Sequence, residues 1–298
     1  MTASGMLLAE NDAAIQQARL FHESIPPTAL GVDANGNALP TSGTSAESDD
    51  SFGAQAIMKT QERPPQFVVT ANGAFDYTSN AALTNRGTRD DVLGVVDAGF
   101  AWLPRLTSDL RADVSAHISL FRYNDITSLD FADFALGAGL NWTPRNFAGV
   151  NFFARYDFTE LLDRSSNQIL MEHAVTLGAQ KTIALGRSHA FSFGLSGTGA
   201  VADPTAAQRE VISGFANYHL DLTRNWSTDI FYRPAVHFYT EHGRIDFNQI
   251  LSVDLRYRLG PAAEFHTMFS YGFNRSNSSV FDYDVITTGG SIAFTAHF

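Results

Sequence analysis

Apolar and polar residues alternate strictly over long stretches of this chain, and this pattern restricts its fold more than any other feature. Between Leu110 and Phe121 the even positions are all apolar, whereas the odd positions include Arg111, Asp113 and His117. Side chains of a β-strand point alternately to its two faces, so the pattern predicts a strand with one apolar and one polar face. Twelve segments of this kind lie between residues 66 and 298.

The length of these segments favours a membrane barrel over a soluble sandwich. Each covers about 11 to 14 residues, enough for a tilted strand to cross a bilayer, whereas soluble strands average about 5 to 6 residues. In lipid every backbone polar group needs an internal partner, so an open sheet edge is excluded. We therefore predict an all-β fold, a twelve-stranded antiparallel transmembrane β-barrel over residues 66–298.

Composition agrees with this interpretation and excludes several kinds of site. The chain is 44% hydrophobic and 17% charged, an average that hides a barrel because its lipid-facing and lumen-facing residues cancel. It contains no cysteine, which excludes disulfides and thiolate metal ligands and suits an exported protein. The net charge of −11 argues against a nucleic-acid partner. The first residues lack the basic and apolar regions of a signal peptide. Because an outer-membrane barrel must be exported, we expect that a signal peptide preceded the mature chain.

The predicted connections alternate in length. Those after even-numbered strands are tight, as in residues 185–188 and 223–225, and those after odd-numbered strands are mostly longer, as in residues 78–91. Outer-membrane barrels have their short turns on the periplasmic side. An even number of strands then predicts that both chain termini are periplasmic.

Aromatic residues near strand ends are predicted to lie at one membrane–water interface. A Trp-Xaa-Pro-Arg sequence begins at Trp102 and again at Trp142, each time at the end of an even-numbered strand. The apolar ring and polar N–H of tryptophan suit this depth. Phe67, at the start of the first strand, and Phe298, at the end of the last, are predicted to join the same belt.

The chain ends within an alternating strand, residues 288–298, whose last residue is phenylalanine. In this respect it resembles bacterial outer-membrane β-barrels of the porin-like class, and the resemblance covers residues 66–298 without pointing to a narrower family. It implies an outer-membrane location, lipid around the barrel, and recognition of the C-terminal strand by the barrel-insertion machinery.

Residues 1–65 differ from the rest of the chain. Leu7 to Glu23 has weak helical character, and Gly31 to Asp50 is rich in small and polar residues, a composition typical of loops or disorder. We expect a periplasmic N-terminal segment. It is either a plug for the lumen or an arm that binds a protein partner, and the sequence does not separate the two.

The inward face of the predicted barrel concentrates the charged residues. The positions predicted to line the lumen include Asp97, Arg111, Asp113, His117, Asp133, Arg155, Asp157, Glu172, Asp229, Arg233, Asp254 and Arg256. These residues indicate either a water-filled pore or a filled barrel in which opposite charges pair. About eight strands is the limit that side chains alone fill, so twelve favour a lumen. We predict a passive channel for small hydrophilic solutes or ions, with a mild cation preference because acidic residues predominate.

A non-conducting barrel that anchors or scaffolds partner proteins is the main alternative, and an autotransporter-type translocator is a weaker one. An outer-membrane hydrolase is also considered. A phospholipase-like site would need an outward His and Ser two residues apart, but His117 and Ser119 face inward, and outward His173 is followed at that spacing by Val175. A protease-like rim site would draw on Glu241, His242 and Asp246. We predict no enzyme, and no catalytic, cofactor or metal residues.

Overall fold

A computed structural model of the protein describes residues 3–24 and 66–298 apart from 187 and 242, with side chains from residue 11 onward. One helix precedes twelve antiparallel strands that form a closed barrel. The predicted fold class is therefore confirmed. The elements are α1 (Ala3–Ser24), β1 (Phe67–Thr78), β2 (Asp91–Trp102), β3 (Leu110–Tyr123), β4 (Phe131–Trp142), β5 (Asn151–Asp163), β6 (Gln168–Ala184), β7 (His189–Asp203), β8 (Arg209–Asp221), β9 (Trp226–Tyr239), β10 (Ile245–Arg258), β11 (Ala263–Ser276) and β12 (Tyr283–His297).

The barrel closes by pairing of its first and last strands. β1 pairs with β12 from Val68 opposite His297 to Thr78 opposite Thr287. The backbone of Phe298 extends this seam, because its N–H donates to the Phe67 carbonyl at 2.9 Å and its own carbonyl accepts from the Phe67 N–H at 3.1 Å. Closure leaves no strand edge of the sheet unpaired, as lipid requires.

Three strands are longer than the sequence pattern suggests. β6 has 17 residues, and β7 and β12 each have 15. The alternation fails at the start of β6, where Ile169 and Leu170 are both buried. The pairing of β5 with β6 has a register irregularity between Leu161 and Leu162, which accommodates the extra residue.

We call the end of the barrel that carries Phe67 and Phe298 the near end, and the opposite end the far end. Near-end connections are residues 103–109, 143–150, 185–188, 222–225 and 259–262, and far-end connections are residues 79–90, 124–130, 164–167, 204–208, 240–244 and 277–282. The contrast in length is smaller than predicted and comes mainly from residues 79–90. Strands such as β5 and β6 continue into sequence that looked like loop.

Alternation assigns the two faces of the wall as predicted. On β3 the outward residues Val114 and Ile118 are exposed, whereas inward Asp113, Ser115 and Ser119 are buried. The outer surface is predominantly apolar, and its exposed large side chains include Phe75, Leu177, Leu195, Ile212 and Phe294.

The far half of the barrel contains an apolar core that the sequence pattern did not predict. Ile15 and Ala18 of helix α1 are buried in one cluster with Phe121 of β3, Phe131 of β4 and Leu170 of β6. These wall residues point inward, so the helix lies inside the barrel. No helix in the described part of the chain is both long and apolar enough to cross a membrane.

Candidate functional site: the barrel lumen

Helix α1 runs from the far end to the middle of the lumen. The Gln17 side-chain amide donates to the carbonyl of Ala81, in the far-end connection, at 2.8 Å. At the other end of the helix, the Ser24 carbonyl accepts a hydrogen bond from Ser252, about halfway along β10, at 3.2 Å. The helix therefore occupies the far half of the lumen, and its last turn faces the near half.

Charged side chains of the helix meet opposite charges on the wall. Glu172 of β6 accepts hydrogen bonds from Arg19 of the helix at 2.8 Å and from Arg209 of β8 at 2.5 Å. Glu23 accepts one from Arg233 of β9 at 2.8 Å. Burial of Glu23 favours the neutral acid, but the positive charges around it, of which Arg233 has the largest effect, together outweigh burial and hold the pKa of Glu23 below its usual value.

His22 contacts the opposite side of the wall. Its Nε2 lies against the carboxylate of Asp133 on β4, which is only 2% exposed. Burial opposes protonation of the imidazole, but the hydrogen bond to Asp133 and the negative charges of Asp133 and Asp97 outweigh it. The pKa of His22 is therefore raised above its ordinary value.

Below the helix, one ion-pair cluster lies on β3, β4 and β5. Arg155 pairs with the carboxylate of Asp113, and its Nε donates to Asp157 at 2.7 Å. Its remaining nitrogen donates to the Ser115 hydroxyl at 2.8 Å, and the Asn141 amide donates to Asp113 at 2.9 Å. Two acids share one arginine, so the cluster carries a net negative charge.

A second cluster lies across the lumen on β8 to β11. Arg256 pairs with Asp229, and its Nε donates to Asp254 at 2.8 Å. His219 Nδ1 lies 3.2 Å from Asp229, and His266 Nδ1 lies 3.2 Å from Asp254. Polar, ion-paired side chains thus line the near half of the lumen on both sides.

The positions predicted to line the lumen fall into distinct surroundings. Glu172 and Arg233 contact the helix, Asp97 and Asp133 lie beside His22, and the near-half clusters contain Asp113, Arg155, Asp157, Asp229, Asp254 and Arg256. His117 is exposed on the inner face of β3, and Arg111 is partly exposed near the start of that strand.

Sequence reasoning did not find the helix residues Arg19, His22 and Glu23 or the wall residue Arg209 as lumen groups. Their spacing places the three helix residues on one face of a helix. The sequence did not indicate which strands of the barrel this polar face would contact. Arg209 lay before the predicted start of β8. Continuing the alternation backwards from Val211, which is buried, would have placed it inward.

Residues considered for a hydrolase have other surroundings. His173 faces outward and its Nδ1 lies 2.7 Å from the Tyr156 hydroxyl. Asp246 is bound by Arg244 at 2.9 Å, and Glu241 accepts a hydrogen bond from Thr205. His242 lies outside the described residues.

The four predicted interface aromatics lie at the near end of the barrel, on its outer surface. Phe67 stacks on Trp102 with ring centroids 6.4 Å apart. Trp142 contacts Phe152 at 5.7 Å, and Phe298 is 71% exposed. Their depth in a membrane stays a prediction.

No family model and no curated protein matches the sequence. Among solved structures, an outer membrane channel from Pseudomonas putida F1 is similar with a TM-score of 0.53 and 12% identity, over 79% of this chain and 97% of that one. The translocator domain of the autotransporter NalP from Neisseria meningitidis has a TM-score of 0.39 and 10% identity, over 79% of this chain and 90% of that one. An anion-selective porin from Comamonas acidovorans has a TM-score of 0.41 and 8% identity, over 77% of this chain and 98% of that one. At such identities the likeness concerns the fold alone: the chain has the closed twelve-stranded β-barrel fold, and the outer membrane channel from Pseudomonas putida F1 is similar to it.

Proposed function

We propose that the protein is a passive outer-membrane channel for small hydrophilic solutes or ions, with a mild preference for cations, and that helix α1 is its plug. The observation that carries this proposal is the polar near half of the lumen. Ion-paired side chains line both of its sides below Ser24, and His117 is exposed between this region and the helix. A lined, water-accessible passage is what a passive channel needs.

The cation preference is supported by the charges that the helix covers. Displacing the helix removes Arg19 and His22 from the lumen. Glu172 keeps Arg209 as a partner, whereas Asp133 loses His22. The wall around Asp97 and Asp133 then carries uncompensated negative charge, which attracts cations.

We further propose that the near end faces the periplasm. The longest connection, residues 79–90, belongs to the far end, and long loops of this class are extracellular. The first and last barrel strands then begin and end on the periplasmic side. The first turns of helix α1 face the cell exterior in this orientation, which differs from the periplasmic N-terminus expected from the sequence. An epitope tag in residues 79–90 should be accessible on intact cells, and a tag after Phe298 should not.

A non-conducting barrel that anchors or scaffolds partners is the second candidate. It is favoured by the apolar core of the far half, where Phe121, Phe131 and Leu170 would contact water if the helix left. Exposing such side chains costs about 1.5 to 3 kcal/mol each. A partner arm in residues 25–65 lies outside the described residues.

Planar-bilayer conductance separates the two candidates. We expect stepwise, weakly cation-selective currents that increase when residues 1–60 are deleted. Because the chain has no cysteine, two cysteines can be introduced into the full chain and joined selectively. Gln17→Cys with Ala81→Cys, joined by a cleavable cross-linker, should hold the helix in place and suppress the current until the cross-link is cleaved. Either single cysteine serves as the control.

The mobility of the barrel on gels before and after boiling verifies that each variant is folded. If neither the full-length protein nor the folded deletion variant carries current, the channel proposal would be overturned and the non-conducting scaffold would remain.

A further inference from the structure

Three neighbouring strands present two acids and a hydroxyl at the same depth in the lumen. Asp97 of β2 is directly opposite Ser119 of β3, and Ser119 is directly opposite Asp133 of β4. The Ser119 hydroxyl donates to Asp97 at 3.0 Å. We call Asp97, Ser119 and Asp133 the acidic row.

The acidic row is built to receive a positive charge. Asp133 and Ser119 are each 2% exposed. One oxygen of Asp133 faces His22, and the other, Oδ1, is buried with no hydrogen-bond partner among the described residues. A buried carboxylate with an unfilled oxygen is costly unless a cation lies beside it, and His22 provides only one contact.

Aromatic rings adjoin the row on its far side. Phe121 follows Ser119 by one inward position on β3, and Phe131 precedes Asp133 by one on β4. Their rings stack with centroids 4.2 Å apart. Phe21 of the helix meets Phe121 edge-on at 5.1 Å. Carboxylates next to aromatic rings suit an organic cation, whose charge is bound by the acids and whose surface contacts the rings.

The lumen wall is exposed next to the row on its near side. His117, the next inward residue on β3 in that direction, is exposed. The described residues contain no group of three or more histidine and acidic side chains arranged around a metal ion. The aromatic rings on the far side of the row favour an organic cation.

We propose that the acidic row binds the cationic group of an organic solute, such as a primary ammonium or imidazolium, and that His22 occupies this site when the helix is docked. Solute and helix then compete for Asp133, so the solute itself favours displacement of the plug. This inference rests on the proposed channel function for its purpose, but the site can be tested without any conductance.

The test uses the full chain and two readouts. The first is calorimetric binding of benzylammonium chloride to the His22→Ala variant, in which the site is vacated, with benzyl alcohol as the uncharged probe. We expect the His22→Ala variant to bind benzylammonium about tenfold more tightly than the wild type, in which His22 competes. Adding Asp133→Asn to His22→Ala should weaken binding about tenfold, a loss of about 1.4 kcal/mol. Adding Glu160→Gln instead removes an acid at an outward position of β5, outside the lumen, and should leave binding unchanged.

The second readout is the position of the helix. A single cysteine at Gln17, which is 7% exposed, should react with a maleimide faster as benzylammonium is added, and benzyl alcohol should have no effect. With Asp133→Asn the reaction should already be fast and independent of the probe.

Equal binding of benzylammonium with and without Asp133, or equal binding of benzyl alcohol, would overturn the acidic row as the site. If the full chain binds benzylammonium but neither it nor the folded variant lacking residues 1–60 carries current, the channel would be overturned and the site kept.

Discussion

Arg19 of helix α1 donates a hydrogen bond of 2.8 Å to Glu172 of strand β6, and both side chains are buried inside the barrel. Arg209 binds the same carboxylate from the other side, so Glu172 connects the helix to two strands. Buried charges left without their partner are strongly destabilising. This relationship makes Glu172 the residue whose loss should most weaken the attachment of the helix.

Glu172→Gln should therefore loosen the helix by about 3 to 5 kcal/mol. The neutral amide leaves two buried guanidinium groups without a carboxylate. Maleimide labelling of a cysteine at Gln17 measures the change, and the rate should rise by two orders of magnitude or more. Glu160→Gln, an outward position on β5, is the matched control. Similar labelling of the two variants would contradict the role of Glu172.

Docking of the helix should weaken as the pH rises. The pKa of His22 is raised in the docked state above its ordinary value of 6.5, so protonation stabilises docking. The full contribution is present below about pH 6.5 and is lost as the pH rises through the raised pKa. The facing groups are Asp133 and Asp97 on the wall and Glu23 on the helix.

Labelling at Gln17→Cys, corrected for the pH dependence of thiol reactivity with a free thiol standard, should thus increase with pH. His22→Gln should flatten this dependence. An unchanged profile in that variant would assign the effect to another group.

Gly289 of β12 should not tolerate a side chain. A Cβ there would collide with the Asp76 carboxylate and the Phe75 carbonyl across the closing seam. Gly289→Val should cost about 1 to 3 kcal/mol through overpacking and lower the temperature at which the folded gel band disappears by several degrees. Gly73→Val, where nothing lies within 4 Å, is the matched control on β1. Equal temperatures for both variants would show that the seam adjusts.

Phe298 should matter through its backbone for closure and through its ring for insertion. Its N–H and carbonyl bond to Phe67, whereas the ring is 71% exposed. We propose that the insertion machinery recognises this ring. Phe298→Ala should refold normally in detergent but assemble less in cells, and deletion of Phe298 should impair both. Normal assembly of Phe298→Ala in cells would argue against recognition of the ring.

Local sequence predicted the wall well because alternation is a property of each strand alone. On β3 the inward acid Asp113 and the outward Val114 could be separated without knowing any neighbour. Closure followed from the demands of lipid on the backbone. The alternation did not locate the strand ends where adjacent apolar residues, such as Ile169 and Leu170, are both buried.

The contents of the lumen could not be predicted in the same way. Phe121 and Phe131 are inward and apolar, and alternation gives no reason for such residues to face a lumen. These two side chains face inward because they pack against the helix, whose Ile15 and Ala18 belong to the same apolar cluster. The weak helical pattern of residues 7–23 gave neither the position nor the direction of the helix.

The sequence by itself determined the strand number, the two faces of the wall and the closure of the first strand on the last, because each depends on local periodicity and on backbone hydrogen bonding. Only the tertiary structure decided which charges meet. The pairing of Arg19 with Glu172, of His22 with Asp133 and of Glu23 with Arg233 joins residues more than a hundred positions apart. Such contacts depend on the depth and rotation of one helix inside a closed barrel, which no local pattern encodes.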